Sequence, residues 1–325
     1  MASTLFPDRL YRAVMEKRSV LCLGMDPQLL NMAQCIFTDE LAQRSLGDLT
    51  GWTLRDFVRD VICAVRDHVV AVKFNTAFFV EHGAVGMEAL AYGQGTARML
   101  GLLVLNDAKC DDGDDTAVAH SRGHIGLVTK VAEDRTLVEK PSPIRADAVT
   151  VEPRLGDNCF DPFLGDVRAH GTGMFVFVRT SFRKPGGIED LELKRGGTVW
   201  QYFARQTAAL AAQTSVGMHG YCGIGAVVGA NNRDDVGWIR DLLRESWFLK
   251  PGVGAQGADF DDTVRGAGRD GSGILVNSGR SIINAGVRGH EVGITRKEWL
   301  AAVERAACAT KDGLNAALAR AGKSL

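Results

Sequence analysis

One short segment of this chain carries opposite charges at close spacing. Asp107, Lys109 and Asp112 directly follow the apolar run 102–105 (LLVL), and Lys73 ends a similar run. An apolar run that ends in charges is typical of a buried parallel strand whose C-terminal end opens into a site. Gathering such charges costs desolvation free energy, which favours a chemical role for them. An ion-pair network that closes one end of the fold is the structural alternative, and the charges alone leave both open.

Eight short apolar segments predict the β-strands that would position these charges. They are 20–25, 69–74, 102–106, 148–151, 174–178, 223–228, 247–249 and 274–277. Helical patterns fill the gaps, at 54–67, 85–100, 115–120, 198–214, 233–245 and 296–321. Strands that alternate with helices pair in parallel, and eight of them close a barrel. The sequence therefore predicts an α/β fold, a (β/α)8 TIM barrel with its polar strand ends at one face.

The length of 325 residues suits one such barrel, and we predict a single domain over 1–325. Residues 129–146 are charged and carry two prolines, which predicts a surface insertion between the third and fourth strands. Residues 254–273 are rich in glycine and aspartate and predict a loop with a short helix.

Composition excludes several classes of function. The net charge is −1, so the chain lacks the basic field that nucleic-acid and membrane-surface proteins present. Seven cysteines without a CxxC pair indicate free thiols in a reducing compartment. Charges are interleaved through residues 1–19, which predicts a helix and not a signal peptide, and no apolar run reaches the roughly 18 residues of a membrane span. We therefore expect a cytoplasmic protein that binds neither nucleic acid nor membrane.

Two glycine-rich segments predict a phosphate site. The run 252–257 (GVGAQG) matches GxGxxG by letter, but only 68 residues follow it, too few for the sheet of a dinucleotide fold. Barrels often bind phosphate after their seventh and eighth strands, where glycines let backbone N–H groups approach. Residues 278–280 (SGR) would add a guanidinium group to such a site. Two glycine-rich turns without a ligand are the alternative.

Other polar groups give weaker signals. His120 and His124 are four residues apart near Asp115, but a metal site needs a third convergent ligand, so we expect them to face solvent or to support a site from behind. The acidic run 111–115 lacks the spacing of a calcium loop. The pair 180–181 (Thr-Ser) could bind the edge of a base or cap a helix, and sequence alone leaves both possible.

In order and spacing, these segments resemble the orotidine 5′-phosphate decarboxylase family, in the longer variant common in bacteria. The matching segments are LCLGMDP (21–27), VKFNTAFFVEHGAVG (72–86), LNDAKCDDGDDTA (105–117), DAVTVEPRLG (147–156), FVRTS (177–181), GAVVGA (225–230), PGVGAQG (251–257) and VNSGRSIINAG (276–286). The resemblance implies a homodimeric (β/α)8 barrel that converts orotidine 5′-phosphate to UMP, in pyrimidine biosynthesis, without metal or other cofactor.

The resemblance also implies roles for individual residues. Lys109 would stabilise and protonate the C6 carbanion of the substrate within an array that also contains Asp107, Asp112 and Lys73. Asp112 and Thr116 would reach the site of the neighbouring subunit. The substrate-binding residues would be Asp26 with Lys73 on the ribose, Ser181 on the pyrimidine, and Gln256 with Arg280 on the phosphate. Their neighbours Thr180, Gly257 and Gly279 complete the expected substrate-binding set.

Several positions depart from the pattern of that family, and two alternatives follow. Cys110, Asp111 and Gly113 replace Arg, Gly and Ile, while Phe74 and Phe182 replace Pro and Asn. Gly113 removes an apolar contact, which keeps open a non-catalytic nucleotide-binding relative. The other alternative is a Mg²⁺-dependent sugar-phosphate decarboxylase or aldolase of the same barrel group. That group has a glutamate metal ligand where this chain has Lys73, which favours the pyrimidine substrate.

Overall fold

The computed structural model describes residues 5–37, 49–181, 187–253, 259–287 and 294–325. Within them, eight parallel strands form a closed barrel. The barrel strands are β1 (Leu21–Met25), β2 (Ala71–Asn75), β3 (Leu103–Cys110), β6 (Ala148–Val151), β7 (Gly173–Arg179), β8 (Ile224–Val228), β9 (Phe248–Pro251) and β10 (Ile274–Ser278). Around the barrel, the strands follow one another in the order β1-β10-β9-β8-β7-β6-β3-β2. The predicted barrel is confirmed, and each of the eight predicted segments is one of its strands.

Helices surround the barrel and bury its outer face. They are α1 (Phe6–Lys17), α2 (Leu49–Val65), α3 (Ala77–Val80), α4 (Gly83–Met99), α5 (Asp114–His124), α6 (Asp161–His170), α7 (Val199–Ala211), α8 (Val236–Leu242), α9 (Phe260–Thr263), α10 (Arg280–Ile283) and α11 (Arg296–Arg320). Short 3₁₀ turns cover Leu29–Asn31, Gln34–Ile36, Asp157–Phe160 and Ile188–Asp190. None of the helices in the described ranges is both long and apolar enough for a membrane span.

Helix α6 lies between β6 and β7 and is missing from the sequence prediction. Its first two residues, Asp161 and Pro162, are typical of a helix start, because proline has no N–H to leave unpaired in the first turn. Phe163, Leu164 and Val167 then form its buried face. The aspartate–proline pair was the signal that could have located this helix.

Helix α1 closes the N-terminal end of the barrel. The Phe6 backbone N–H donates to the Gly171 carbonyl at 2.8 Å, and the Phe6 ring meets that of Phe175 edge to face at 6.0 Å. Gly173 makes this packing possible, since a Cβ there would lie 2.4 Å from the Phe6 ring. The opposite, C-terminal end of the barrel stays open for a site.

A two-stranded antiparallel hairpin occupies the segment where the sequence predicts a surface insertion. Its strands are β4 (Leu127–Val131) and β5 (Leu137–Pro141), with Leu127 paired to Pro141. Most of its side chains are exposed, and Val131 and Leu137 are each 72% exposed. The hairpin therefore adds little to the barrel core, and the chain returns from it to β6 at the N-terminal end of the barrel.

The side chain of Lys250 in β9 is buried in the layer between the barrel and the helices, where a lysine is unusual. Its Nζ donates to the Arg265 carbonyl at 3.0 Å. Burial, aided by repulsion from Arg240, lowers the pKa of Lys250 to about 7. The neutral amine is thus favoured in the folded protein at a pH where a free lysine is charged.

Replacing Lys250 with methionine is expected to stabilise the protein in a pH-dependent way. An unfolded lysine stays protonated up to a pKa of about 10.4, so the folded protein loses stability as the pH falls from about 10 to 7. We expect Lys250→Met to raise the free energy of unfolding by about 1–3 kcal/mol at pH 6 and by little at pH 10. Urea unfolding at both pH values measures this, with Lys130→Met on the exposed hairpin as the control. An equal gain at both pH values would contradict the assigned pKa.

Candidate active site

A cavity of about 300 Å³ opens at the C-terminal ends of the barrel strands. Six of the predicted site residues line it: Asp26, Lys73, Asp107, Lys109, Gly279 and Arg280. These residues come from β2, β3 and the segments after β1 and β10, so they are far apart in sequence. The closed parallel barrel brings them together, as the sequence predicts.

Asp107 is the centre of a buried charge network. Its Oδ2 accepts a hydrogen bond from Lys73 Nζ, and its Oδ1 accepts one from Lys109 Nζ at 2.7 Å. Thr150 Oγ1 also donates to Asp107 Oδ1, at 3.0 Å. Asp107 and Lys73 are only 8% and 5% exposed, whereas the Lys109 side chain is 43% exposed. Lys109 is therefore the ammonium group that faces the open cavity.

The two ammonium groups keep Asp107 ionised. Burial alone would raise the pKa of Asp107, but Lys73 and Lys109 outweigh that effect and hold the pKa well below its usual range. Burial would likewise lower the pKa of Lys73, and the charges of Asp107 and Asp26 reverse this and raise it. The network thus fixes one negative and two positive charges before any ligand arrives.

An irregularity in β3 aims Lys109 into the cavity. Residues 107–109 of β3 lie opposite the single residue Thr150 of β6, because the register shifts between Asn106 and Cys110. The Lys109 backbone has a φ of +49°, and its N–H donates to Thr150 Oγ1 at 3.0 Å. A left-handed backbone at a lysine costs about 1–3 kcal/mol, and such strain concentrates at functional sites. Sequence reasoning missed Thr150, whose signal was a lone hydroxyl in an apolar strand.

Two buried acceptors in the cavity lack partners among the described residues. They are Asp26 Oδ1 and Asn277 Oδ1. A buried acceptor without a donor costs about 1–3 kcal/mol, so hydroxyl groups of a ligand would be favourable partners. Asn277 and Asn75 also line the cavity, and the sequence analysis assigned neither of them a role.

The predicted phosphate residues lie at one side of the cavity. Arg280 opens α10, is exposed, and has no carboxylate partner in the part of the chain that the structure describes. Gly279 packs closely on β1, since a Cβ there would lie 3.0 Å from the Gly24 carbonyl oxygen. Gln256, Gly257 and Phe182 lie outside the described residues.

Thr180 and Ser181 follow β7 but do not line the cavity of the single chain. Glu189 accepts the Thr180 N–H through both carboxylate oxygens, at 3.0 and 3.2 Å. Glu189 is in turn paired with the buried Arg179, at 3.2 Å. The Ser181 hydroxyl is buried and has no partner among the described residues. Glu189 and Arg179 are positioning groups that sequence reasoning missed.

Arg179 ties several segments to the end of β7. Its side chain is 2% exposed and pairs with Asp190 at 2.7 Å and with Asp235 at 2.9 Å, besides Glu189. Its guanidinium group also lies over the Trp200 ring, 5.2 Å from the ring centroid, which is within the roughly 6 Å reach of a cation–π contact. One buried cation thus fixes the backbone from which Thr180 and Ser181 project.

Asp112 and Thr116 lie outside the cavity of their own chain. Both are exposed, and Asp112 Oδ1 accepts the N–H of Gly113 at 2.8 Å. β3 ends at Cys110 and the chain then turns into α5, so Asp112 does not line the cavity that the Lys109 of its own chain faces. A Cβ at Gly113 would meet no atom within 4 Å, so nothing in the single chain requires glycine there.

Cys110, His120 and His124 form the one group of three potential metal ligands among the described residues, with ligand atoms within 4.8 Å of one another. Sequence analysis lacked the third ligand, because Cys110 is on a strand and the histidines are on α5. None of the three lines the active-site cavity.

The hydrogen bonds of His124 do not suit a metal. Asn106 Nδ2 donates to His124 Nδ1 at 3.0 Å, and the Asn106 amide is oriented by bonds from Gln94 and to the Ile144 carbonyl. Burial, with repulsion from His120, lowers the pKa of His124 to about 4, so the ring is neutral and its proton is on Nε2. Neither nitrogen then offers a free lone pair. His124 thus supports β3 through Asn106 and does not line the cavity. A supporting role of this kind was one of the two predicted outcomes.

Comparison with known proteins agrees with the geometry. The profile of the orotidine 5′-phosphate decarboxylase / HUMPS family matches residues 19–292. An orotidine 5′-phosphate decarboxylase from Rhodopirellula baltica is 32% identical over 302 residues, which are 93% of this chain and 96% of that protein. The Deinococcus radiodurans enzyme of the same name is 32% identical over 313 residues, 96% and 98% of the two chains.

Solved structures show the same fold. A Streptomyces avermitilis protein assigned to orotidine 5′-phosphate decarboxylase superposes with a TM-score of 0.74 at 28% identity, covering 98% of both chains. A Toxoplasma gondii protein similarly assigned gives a TM-score of 0.76 at 23% identity, again over 98% of both chains, which supports the fold alone. The profile match spans most of the chain, and the relatives match over nearly their full length. This chain therefore belongs to the orotidine 5′-phosphate decarboxylase / HUMPS family.

Proposed function

We propose that this protein is a carboxy-lyase that converts orotidine 5′-phosphate to UMP and CO₂, a step of pyrimidine biosynthesis. The observation that carries the proposal is the buried Lys73–Asp107–Lys109 network beside an open cavity. Lys73 also opposes the Mg²⁺-dependent alternative, because its ammonium group is held against Asp107 where a metal ligand would be needed. The reaction needs neither metal nor organic cofactor.

The chemistry assigns Lys109 the central role. Loss of CO₂ from C6 leaves a vinyl carbanion with no adjacent π-acceptor, so the negative charge must be stabilised electrostatically. The Lys109 ammonium group faces the cavity and would stabilise this charge, then donate its proton to C6. Asp107 and Thr150 hold the Lys109 side chain and backbone in place, so no reorganisation is needed as the charge develops.

Substrate groups remote from C6 supply binding energy for this step. Asp26 and Lys73 bind the ribose hydroxyls, which would satisfy the unpaired Asp26 Oδ1. Arg280, Gly279, Gln256 and Gly257 hold the phosphate. Thr180 and Ser181 do not line the cavity of the single chain. We place them at the pyrimidine edge of the bound substrate, with their backbone held by Glu189 and Arg179.

The proposed active unit is a homodimer with shared sites. Asp112 and Thr116 are exposed in the single chain and project from the loop and helix that follow Lys109. In the dimer each would enter the site of the neighbouring subunit, where Asp112 would lie against Lys109 and the substrate carboxylate. We also place the protein in the cytoplasm, which suits its seven unpaired cysteines.

Turnover of orotidine 5′-phosphate by the purified protein tests this function. We expect the absorbance of orotidine 5′-phosphate to fall as UMP forms, and the rate of this fall to be the same with and without EDTA. Loss of turnover in EDTA would favour the Mg²⁺-dependent alternative. Tight UMP binding without turnover would identify a non-catalytic relative.

Replacing Arg280 with alanine is expected chiefly to raise KM. Its guanidinium group faces the cavity and has no carboxylate partner among the residues that the structure describes, so its loss removes a charge-assisted contact to the phosphate. A rise in KM of about 10- to 100-fold corresponds to one or two such hydrogen bonds. Steady-state kinetics measure it, with the exposed Arg122→Ala as the control. An unchanged KM would remove Arg280 from the phosphate site.

A further inference from the structure

An arginine-lined cleft of about 450 Å³ lies at the N-terminal end of the barrel, opposite the active-site cavity. Arg9 of α1, Arg98 at the end of α4 and Arg145 before β6 line it, so three separate segments contribute one guanidinium group each. The cleft is within the size range of small-molecule sites. The proposed decarboxylation uses none of these residues.

Each of the three guanidinium groups is held by a hydrogen bond to the protein and has further N–H donors for a ligand. Arg9 Nη1 donates to Asp147 Oδ1 at 2.6 Å, and Arg145 Nε donates to the Ile125 carbonyl at 3.0 Å. Arg98 Nη2 donates to the Arg145 carbonyl. An arginine has five N–H donors, so these contacts leave several on each side chain. The anchoring lowers the entropy cost of binding a ligand.

The cleft carries an excess of positive charge. Among the described residues, Asp147 is the one carboxylate that lines the cleft, against three arginines. Asp147 Oδ2 also accepts the Val104 N–H at 2.8 Å. Neither Arg98 nor Arg145 pairs with a carboxylate anywhere in the described ranges. Burial lowers the pKa of Arg98, and the charges of Arg145 and Arg9 add to this against the opposing effect of Asp147. An anion in the cleft would relieve this repulsion.

The exposed hairpin supplies one wall of the cleft. Pro141 ends β5, and Pro141 and Ser142 line the cleft beside Arg145. The segment that follows the β4–β5 hairpin therefore lines the cleft and places Arg145 in it. His170 and Thr172 line the cleft as well.

We propose that this cleft is a second ligand site, which binds a phosphate-bearing anion. Planar guanidinium forks pair with phosphate oxygens through two parallel hydrogen bonds, and three forks match a group with several oxygens better than a two-oxygen carboxylate. The phosphate could belong to an inorganic polyphosphate or to a nucleotide, which share this chemistry. The site is independent of the decarboxylation at the other end of the barrel.

Calorimetric titration tests the site with two probes, inorganic pyrophosphate and ATP, in about 0.15 M KCl to screen weak surface binding. Excess UMP blocks the active site, and a repeat with Arg280→Ala weakens phosphate binding there by a second route. We expect saturable binding of one anion per chain in both experiments. Arg98→Gln and Arg145→Gln should each weaken it at least about tenfold, the effect of losing one or two charge-assisted hydrogen bonds.

Arg122→Gln is the matched control, because Arg122 is an exposed arginine of α5 away from the cleft. Thermal unfolding of each variant shows whether it is folded. With excess UMP present, pyrophosphate should raise the unfolding temperature of the unaltered protein more than that of Arg98→Gln. Similar affinities for the two probes would indicate an inorganic polyphosphate, and tighter ATP binding a nucleotide. No saturable binding of either probe, or equal weakening by Arg122→Gln, would overturn the proposal.

Discussion

Replacing Lys109 with alanine is expected to reduce kcat by at least about 10⁴-fold while the protein stays folded. The change removes both the cation that faces the developing carbanion and the proton donor for C6. Lys73 cannot substitute, because its ammonium group is buried and already held by Asp107 Oδ2, whereas Lys109 is the more exposed of the two. Single-turnover measurements with saturating orotidine 5′-phosphate give the rate of the chemical step directly.

Two measurements separate this loss from unfolding. UMP affinity and the unfolding temperature should stay close to those of the unaltered protein, because the Lys109 side chain is 43% exposed and contributes little to the core. Lys130→Ala on the exposed hairpin is the matched control and should retain full activity. A kcat for Lys109→Ala within tenfold of the original would refute its catalytic role.

Mixing two inactive variants is expected to restore about one quarter of the original activity. Lys109→Ala and Asp112→Asn should each be nearly inactive, the second because the site would lose a carboxylate that orients Lys109 and opposes the substrate carboxylate. After random exchange of subunits, about half the dimers are hybrids. If Asp112 acts across the interface, one of the two sites in each hybrid contains both original residues.

The same mixture distinguishes the two possible placements of Asp112. If Asp112 acted within its own chain, every site in a hybrid would lack either Lys109 or Asp112, and no activity would return. Mixing Lys109→Ala with Asp107→Asn is the control, because these two residues contact each other in one chain at 2.7 Å. That mixture should stay inactive, and its recovery would contradict the intrachain network.

The barrel was largely predictable because its strands have a strong local signal. Val149 and Val176 are examples of apolar residues buried in strands that were located by composition alone. Helix ends such as Thr295 were also readable, since Thr295 and Glu298 form a capping box at the start of α11. The short helix α6 escaped prediction because its apolar face is only three residues long.

The sequence by itself determined which charged groups would meet at one end of a parallel barrel. Asp26, Lys73, Asp107 and Lys109 each follow or end a predicted strand, and strand ends at one face of a barrel must converge. Their residue types, an alternation of carboxylates and ammonium groups, already indicated electrostatic chemistry. That part of the site depends on the local residue pattern and on the strand topology, and both can be predicted from the amino-acid sequence.

Only the tertiary structure decided how those groups are arranged. It placed Thr150 against the shifted register of β3, paired Glu189 with Thr180, and left Asp112 outside the cavity of its own chain. It also assembled the cleft of Arg9, Arg98 and Arg145. These contacts join residues distant in sequence through packing and hydrogen-bond geometry. Local residue pattern carries no information on register shifts or on contacts across the fold, so the structure had to supply them.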